Sequence, residues 1–252
     1  MFRLRFTALV EAPLTVAFDV ARALGRPWPF PLEEVVSVRP EHDVFTAPFG
    51  ARGRVAHSRR FTPTGAGTRV DEQVEWESGL PGAVGAVVDR VVLRPRVARA
   101  MRAHLDALAA GAALRAREVV QVVGAALVEG DRVLVAQRTG GPYDGCWEFP
   151  GGKVDPGESD LAALVRECAE ELGVAVAPQS FLGEVPLDGV VAGGAPGAST
   201  MRVWWARITD GRPVAQEHAE LRWVGAADLD ALDWIPADRP LLPAVRAVLA
   251  AR

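Results

Sequence analysis

The sequence predicts an α+β protein of two domains. The first, residues 1–113, is an antiparallel sheet with a long closing helix; the second, residues 117–252, combines a strand hairpin and further strands with an acidic helix and a closing helix. Three observations carry this. Residues 2–77 alternate between apolar and polar with turn residues between the runs, and a helical pattern follows to about residue 110. AAGAALRARE at 109–118 separates that pattern from the next. Beyond it, VVQVVGAALVEGDRVLVAQR reads as two apolar strands joined by a Glu-Gly-Asp turn, and an acidic helix comes after. With 252 residues, 49% of them apolar, the chain can bury two cores.

In the first domain, residues 2–10 alternate as a strand and Pro13 opens a short helix that runs to Leu24. GRPWPFP at 25–31 is a loop. Extended segments follow at about 33–39, 43–47, 52–61 and 68–77, punctuated by Pro48, Gly50 and the turn TPTGAGT. From Pro81 to about Ala110 the pattern is helical, with Val84, Val87, Val88, Val91 and Val92 on one side. Pro95 breaks or kinks that helix, because proline has no amide donor. This order, with RRFTPTGAGTRVDEQVEWESGLPGAVG before the last helix, resembles the helix-grip fold of the SRPBCC (START-like, polyketide cyclase) superfamily over roughly residues 2–110. The resemblance implies a small apolar ligand for this domain, or a structural and dimerisation role. The residues themselves show no paired carboxylates and no nucleophile–base set.

In the second domain a loop, TGGPYDG, leads from the hairpin to CWEFPGGK. Strands are expected near 181–186 and 201–209 and at LRWV, with a closing helix after Pro240. The net charge of −4 divides into +3 over residues 1–113 and −7 over residues 114–252. Neither half has the clustered basic surface of a nucleic-acid binder. The acidic half would repel a nucleoside polyphosphate unless a cation bridged the two. Two cysteines, Cys146 and Cys168, make neither a disulfide framework nor a zinc spacing, and Cys168 reads as core. The N-terminus lacks the apolar run of a signal peptide, and no stretch approaches the roughly 18–20 apolar residues of a membrane span. The expectation is a cytoplasmic protein with no membrane or nucleic-acid partner; oligomeric state is open.

The chemistry lies in GGKVDPGESDLAALVRECAEELGV. Ser159 is placed to cap a helix, Asp160 suits its positive end and Gly173 stops it. At about 100° per residue, Glu167, Glu170 and Glu171 fall within an arc of roughly 100°. Leu161, Val165, Cys168 and Leu172 form a second face, roughly 130° away, expected to pack on the sheet. Three carboxylates at i, i+3 and i+4 repel one another. A hard divalent cation with oxygen ligands is the natural compensation.

The same string fits G-x5-E-x7-R-E-U-x-E-E-x-G-U, where U is a bulky apolar residue. Gly152, Glu158, Arg166, Glu167, Glu170, Glu171 and Gly173 take the fixed positions, and Cys168 and Val174 the apolar ones. It is identified as a Nudix box, so this domain resembles the Nudix hydrolases and their α/β/α sandwich. The resemblance implies Mg²⁺, with Mn²⁺ as the alternative, held by the carbonyl of Gly151 and by Glu167, Glu170 and Glu171. Glu167 serves as the base or positions it, and Arg166 orients Glu167 and pairs with Glu158. Such metals neutralise phosphate charge and lower the pKa of bound water; the sequence does not rank the glutamates as base.

VLVAQR, CWEFPGGK, QEHAELRWV and DWIPADRPLL extend the resemblance to the MutT-like branch, especially its CTP pyrophosphohydrolase members, over about residues 119–245. There a glutamate ahead of the last strand joins the metal site, which maps to Glu217, with Glu220 as fallback. His218 reads as a local hydrogen-bonding residue. Arg138 maps to a phosphate-contacting arginine, and Glu148 and Phe149 to the nucleotide pocket. Trp147, Trp204 and Trp205 are further stacking candidates, although strand alternation keeps Trp204 and Trp205 from facing the same side. Asp238 stands where members acting on 8-oxoguanine carry asparagine. An ionised carboxylate only accepts hydrogen bonds, which suits the N4 amino group of cytosine, unless Asp238 caps the following helix. The expected reaction is hydrolysis of a nucleoside triphosphate, namely (d)CTP, modified dCTP or oxidised dGTP, to the monophosphate and pyrophosphate. Two alternatives stay open: a nucleoside diphosphate derivative such as ADP-ribose, and a non-enzymatic sensor of nucleotide or apolar ligand.

Overall fold

The alternation in the first half becomes five strands: β1 (Phe2–Val10), β2 (Glu33–Val38), β3 (His42–Phe49), β4 (Gly53–Thr64) and β5 (Gly67–Glu77). They form one antiparallel sheet in the order β1-β5-β4-β3-β2. The computed structural model describes residues 1–50, 52–155, 157–187 and 199–251. It divides into two units, Met1–Glu118 and Val119–Arg252. In the first unit α1 (Leu14–Leu24) packs on β4 and on α3 (Arg94–Ala116), which also lies on β1. Ahead of α3 come α2 (Gly82–Val87) and a π-helical turn, Val88–Leu93. Pro95 sits just past that turn, where a missing amide donor lets the hydrogen-bond ladder shift its spacing. The expected break at Pro95 takes this form.

Two expectations for this unit need correction. Of the valines expected on one side, Val84, Val87, Val91 and Val92 are exposed, and the packed face of α3 is Met101, His104, Leu105, Leu108 and Ala112. The stretch 109–118, expected to separate the two patterns, is itself largely helical: α3 runs through it to Ala116, because alanine, leucine and arginine are strong helix formers. Gly111 is tolerated there because α1 presses close; a Cβ at that position would meet Val20 Cγ1 at 3.3 Å. The boundary therefore falls between Glu118 and Val119.

The inward positions of β4 and β5 carry a core of Val55, Val74 and Trp76 with Met101 of α3. The same inward positions also hold His57, Arg59 and Glu72, all buried. His57 Nε2 lies 2.9 Å from Glu72 Oε2, and His104 Nε2 faces Glu72 Oε1 at 4.0 Å. Asp43 receives Arg59 in a bidentate pair, at 3.0 and 2.7 Å, and Arg26 at 2.6 Å. Burial holds the imidazoles of His57 and His104 below their usual range. With neutral imidazoles, two guanidinium groups balance two carboxylates, the condition under which such burial is tolerated.

In the second unit, β6 (Gln121–Glu129), β7 (Arg132–Gln137), β8 (Trp147–Glu148), β9 (Ala175–Pro186), β10 (Thr200–Asp210) and β11 (Glu220–Gly225) form a mixed sheet. Its order is β11-β7-β6-β10-β9 with β8 on β7, and β10 runs parallel to β6. β6 is covered on both faces, which is why it reads as a nearly continuous apolar run. One face takes α4 (Asp160–Leu172), whose Leu164, Cys168 and Leu172 pack with Val123, Ala125, Leu127 and Trp204. The other takes α5 (Leu242–Ala250), whose Val245 and Leu249 pack with Val135, Trp147 and Val203. This is the expected α/β/α arrangement. The face of α4 differs in detail: Ala163 and Leu164 are buried, while Leu161 and Val165 are 45% and 37% exposed. Leu161 lies in the first turn and Val165 at the margin of the buried arc, so neither reaches the sheet.

Candidate active site

α4 is held at both ends. Ser159 has extended backbone and its Oγ accepts the Ala162 N–H at 3.2 Å; Gly173 closes the helix in the left-handed region, φ 70° and ψ 27°. Two carbonyls at the C-terminal end are then covered from the segment before β11, by the N–H of Val214 on Leu172 and of Gln216 on Glu171. Against this helix runs the loop 150–154, tied to β6 by the N–H groups of Ala125 on Pro150 O and Val123 on Gly152 O.

Two glycines let that loop run close to its neighbours, Gly151 to β6 and Gly152 to α4. Gly151 has φ +151°, and a Cβ there would stand 2.1 Å from Val123 O; at Gly152 a Cβ would lie 2.3 Å from Glu167 Oε1. Glu167 is thus sandwiched between its helix and Gly152, and Glu171 Oε2 accepts the Gly151 N–H at 2.9 Å. Arg166 gathers the rest. It donates to Glu158 through Nε at 3.2 Å and Nη2 at 2.9 Å, and to the Lys153 carbonyl at 2.9 Å. Its Nη1 reaches Glu167 Oε1 and Glu170 Oε2, each at 3.0 Å. The expected pairing with Glu158 and orientation of Glu167 are both present.

The electrostatics leave this cluster short of positive charge. The Arg166 guanidinium holds Glu158 below the usual carboxylate range. Burial pushes Glu167 up, and burial pushes Glu171 up to about 7. One guanidinium therefore does not saturate four carboxylates. A divalent cation would relieve the deficit, and an all-oxygen donor set suits a hard one, so these residues fit a metal. Among the described residues no three such groups already converge as ligands. Glu170 is turned onto Arg166 and Glu171 onto Gly151, so taking up a cation requires these side chains to rotate.

Around this centre the remaining candidates separate. Glu217 is exposed, one residue past Gln216. His218 Nε2 lies 3.6 Å from Glu148 Oε1. Burial alone would lower His218, but the charges of Glu148, Glu171 and Glu217 outweigh it and raise the imidazole. Arg138 Nη1 donates to Glu148 Oε2 at 2.7 Å, joining two expected substrate residues. Glu220 pairs instead with Arg222 at 2.8 Å. Cys168 is core as expected, its thiol pushed up to about 12 by burial.

Phe149 and Asp238 need correction. The Phe149 ring is 4% exposed and packs on Trp234 at 5.0 Å, so it offers no stacking face. What Phe149 contributes is its N–H, which donates to Asp238 Oδ2 at 2.8 Å. Asp238 is fully buried, its side chain caps no helix, and its Oδ1 has no hydrogen-bond partner. Burial raises this carboxyl well above the usual range, which works against the ionised acceptor that the sequence suggests. The tryptophans are mostly structural too. Trp147 is buried beneath the Arg222 guanidinium, 4.5 Å from the ring, and Trp204 is core. Trp205, on the opposite face, donates to Ser180 Oγ at 2.6 Å.

Sequence reasoning missed Arg202, which bonds Asp160 at the start of α4, and the His57–Glu72–His104 cluster of the first unit. Both left the same signal: a charged residue at an inward position of an otherwise apolar strand.

A sandwich of this topology, with a glycine loop pressed on a glutamate-bearing helix, defines the class to which the second unit belongs. The NUDIX domain family model matches residues 119–245, half of the chain. The chain belongs to the Nudix family. It is 46% identical over 119 residues to a putative 8-oxo-dGTP diphosphatase 2 of Mycobacterium tuberculosis, covering 47% of this chain and 82% of that protein. It is 35% identical over 136 residues to the CTP pyrophosphohydrolase of Escherichia coli K12, covering 54% and 97%. The 8-oxo-dGTP diphosphatase of the same organism is 33% identical over 95 residues, covering 38% and 70%. Nudix hydrolases use divalent metal ions.

Proposed function

We propose that the chain hydrolyses a nucleoside triphosphate to the monophosphate and pyrophosphate, with (d)CTP, modified dCTP or oxidised dGTP as substrate. The observation that carries this reading is the Gly151–Gly152 loop closed on Glu167 and Glu171, with Arg166 spanning Glu158, Glu167 and Glu170. Relatives named for 8-oxo-dGTP and CTP hydrolysis support it. Glu167, Glu170, Glu171, the Gly151 carbonyl and Glu217 would hold Mg²⁺, with Mn²⁺ as substitute. Bound there, the cation neutralises phosphate charge and lowers the pKa of water.

The chain's own groups do the rest. Glu167, half-buried and fixed by Arg166, accepts the proton of the attacking water. Arg138 exchanges Glu148 for a phosphate oxygen, a bond that its planar fork suits. Asp238, fully buried, accepts the Phe149 N–H and so fixes the backbone that leads into the glycine loop.

Nucleoside monophosphate formation from NTPs, dNTPs, oxidised dNTPs and ADP-ribose with Mg²⁺, resolved by chromatography alongside pyrophosphate release from the triphosphates, tests the proposal. Turnover of a triphosphate that disappears in Glu170→Gln is the expected result. No turnover by the wild type, or unchanged turnover by the variant, overturns it. Turnover of ADP-ribose alone transfers the activity to nucleoside diphosphate derivatives.

For the first unit we propose a helix-grip domain of the SRPBCC type that takes a small apolar ligand; its strand order and α3 support this. Saturable, displaceable binding of 1-anilinonaphthalene-8-sulfonate to the full chain is expected, and its absence would leave the unit structural. A cytoplasmic location is part of the same reading. Among the described residues no helix is long and apolar enough to cross a membrane, and cell fractionation checks the location directly.

A further inference from the structure

Arg202 is a buried charge within β10, between the core residues Met201 and Val203. It shares the α4 side of the sheet with Trp204 and Ala206. Its side chain is 8% exposed and bonds the carboxylate of Asp160, the first residue of α4. Its Nε lies 3.5 Å from Glu184, its cross-strand partner on β9, and its guanidinium carbon 5.2 Å from the ring centres of both Phe181 and Trp204.

We propose that Arg202 is a positioning residue for hydrolysis, which sets the rotation of α4 about its own axis and so places Glu167 and Glu171 beneath the glycine loop. This rests on the hydrolase reading above. The other contacts of α4 with the sheet are the apolar side chains of Ala163, Leu164, Cys168 and Leu172, whose rounded shapes set a rotation less sharply than a directional bond does. The charge-assisted bond from Arg202 Nη1 to Asp160 is directional and fixes the rotation more narrowly. A buried ion pair also adds little net stability over apolar packing, so its value here is geometric uniqueness.

Helix periodicity connects that anchor to the chemistry. Asp160 and Glu167 are seven residues apart and Asp160 and Glu171 eleven, which places all three within roughly 20° of one direction. Turning Asp160 therefore turns both glutamates by the same angle. With the carboxyl groups about 6 Å from the axis, a roll of about 10° moves them about 1 Å. A misplacement of that size costs about a hundredfold in rate.

The test compares Arg202→Met, Arg202→Lys, Asp160→Asn and the Met/Asn double variant in the full chain. It reads kcat, KM, Mn²⁺ affinity by electron paramagnetic resonance, and the unfolding temperature. In Arg202→Met, kcat should fall about ten- to a hundredfold with little change in KM, and Mn²⁺ should bind several-fold more weakly. Arg202→Lys should recover part of the loss, and the double variant should be no worse than Arg202→Met. A lowered unfolding temperature with wild-type kcat and Mn²⁺ affinity, or additive losses in the double variant, overturns the proposal. If Arg202→Met does not fold, Asp160→Asn, which leaves the strand intact, carries the same readouts. If the wild type hydrolyses no nucleotide, the hydrolase reading fails, and Mn²⁺ affinity still decides whether Arg202 positions the glutamates.

Discussion

Replacing Asp238 with asparagine should make the protein more stable at neutral pH and remove part of its pH dependence. Asp238 is fully buried and its carboxyl is raised well above the usual range. In the unfolded chain the same group titrates near 3.9. Between those two values the folded state keeps a proton that the unfolded state has released, so stability falls as pH rises, by at most about 1.4 kcal/mol per pH unit. The loss is complete only above the folded pKa. Asparagine has nearly the same shape, its oxygen can accept the Phe149 N–H now held at 2.8 Å, and it does not titrate. The wild type should therefore lose stability relative to Asp238→Asn as pH rises above about 4, by at most about 1.4 kcal/mol per unit. At this chain length that corresponds to about 3–5 °C of unfolding temperature per unit. Asp238→Ala should behave oppositely, because a buried N–H left unpaired costs about 1–3 kcal/mol. Urea unfolding followed by tryptophan fluorescence, with Trp234 beside Phe149, measures this between pH 5 and 8. Parallel stability curves for wild type and Asp238→Asn would refute the argument that burial raises this carboxyl.

Three further outcomes follow from the same geometry. Gly152→Ala places a methyl group 2.3 Å from Glu167 Oε1, so Glu167 must leave its place; kcat should fall by about a hundredfold or more while the variant stays folded. Burial pushes Glu171 up to about 7, so without metal its folded form keeps a proton and its contribution to stability declines from about pH 4.3 to about 7. A cation competes for the same oxygens. Mg²⁺-induced stabilisation, read by thermal unfolding, should therefore grow from pH 5.5 to 7.5, and equal stabilisation at both ends would contradict the assignment. Leu164→Ala, at a fully buried position in the ridge of α4, should cost about 2–5 kcal/mol in urea unfolding, whereas exposed Leu161→Ala should cost under about 1 kcal/mol.

The parts of this protein legible in its sequence are those whose cause is local. Ser159, Gly173 and the Gly151–Gly152 pair mark the ends of α4 and its covering loop because caps and positive φ angles constrain residue type within a few positions. The glutamates of α4 follow from the helical period. What stayed hidden depends on distant partners. The protonation of Asp238 is decided by a pocket whose backbone donor lies 89 residues earlier. The Phe149 ring looked like a platform until Trp234 took its face. Period alone could not tell that Leu161 falls in a turn the sheet does not reach. One class of hidden feature did leave a trace. His57, Arg59 and Glu72 in the first unit and Arg202 in the second occupy inward strand positions among apolar residues. Burying such a group unpaired would cost more than a strand can recover, so its presence at that parity requires a partner from another element. Asp43 and His104 meet that requirement in the first unit, and Asp160 and Glu184 meet it in the second. In the second unit the partner is the first residue of the helix that carries the chemistry. A charge written into β10 thereby acts on glutamates that no local pattern connects to it.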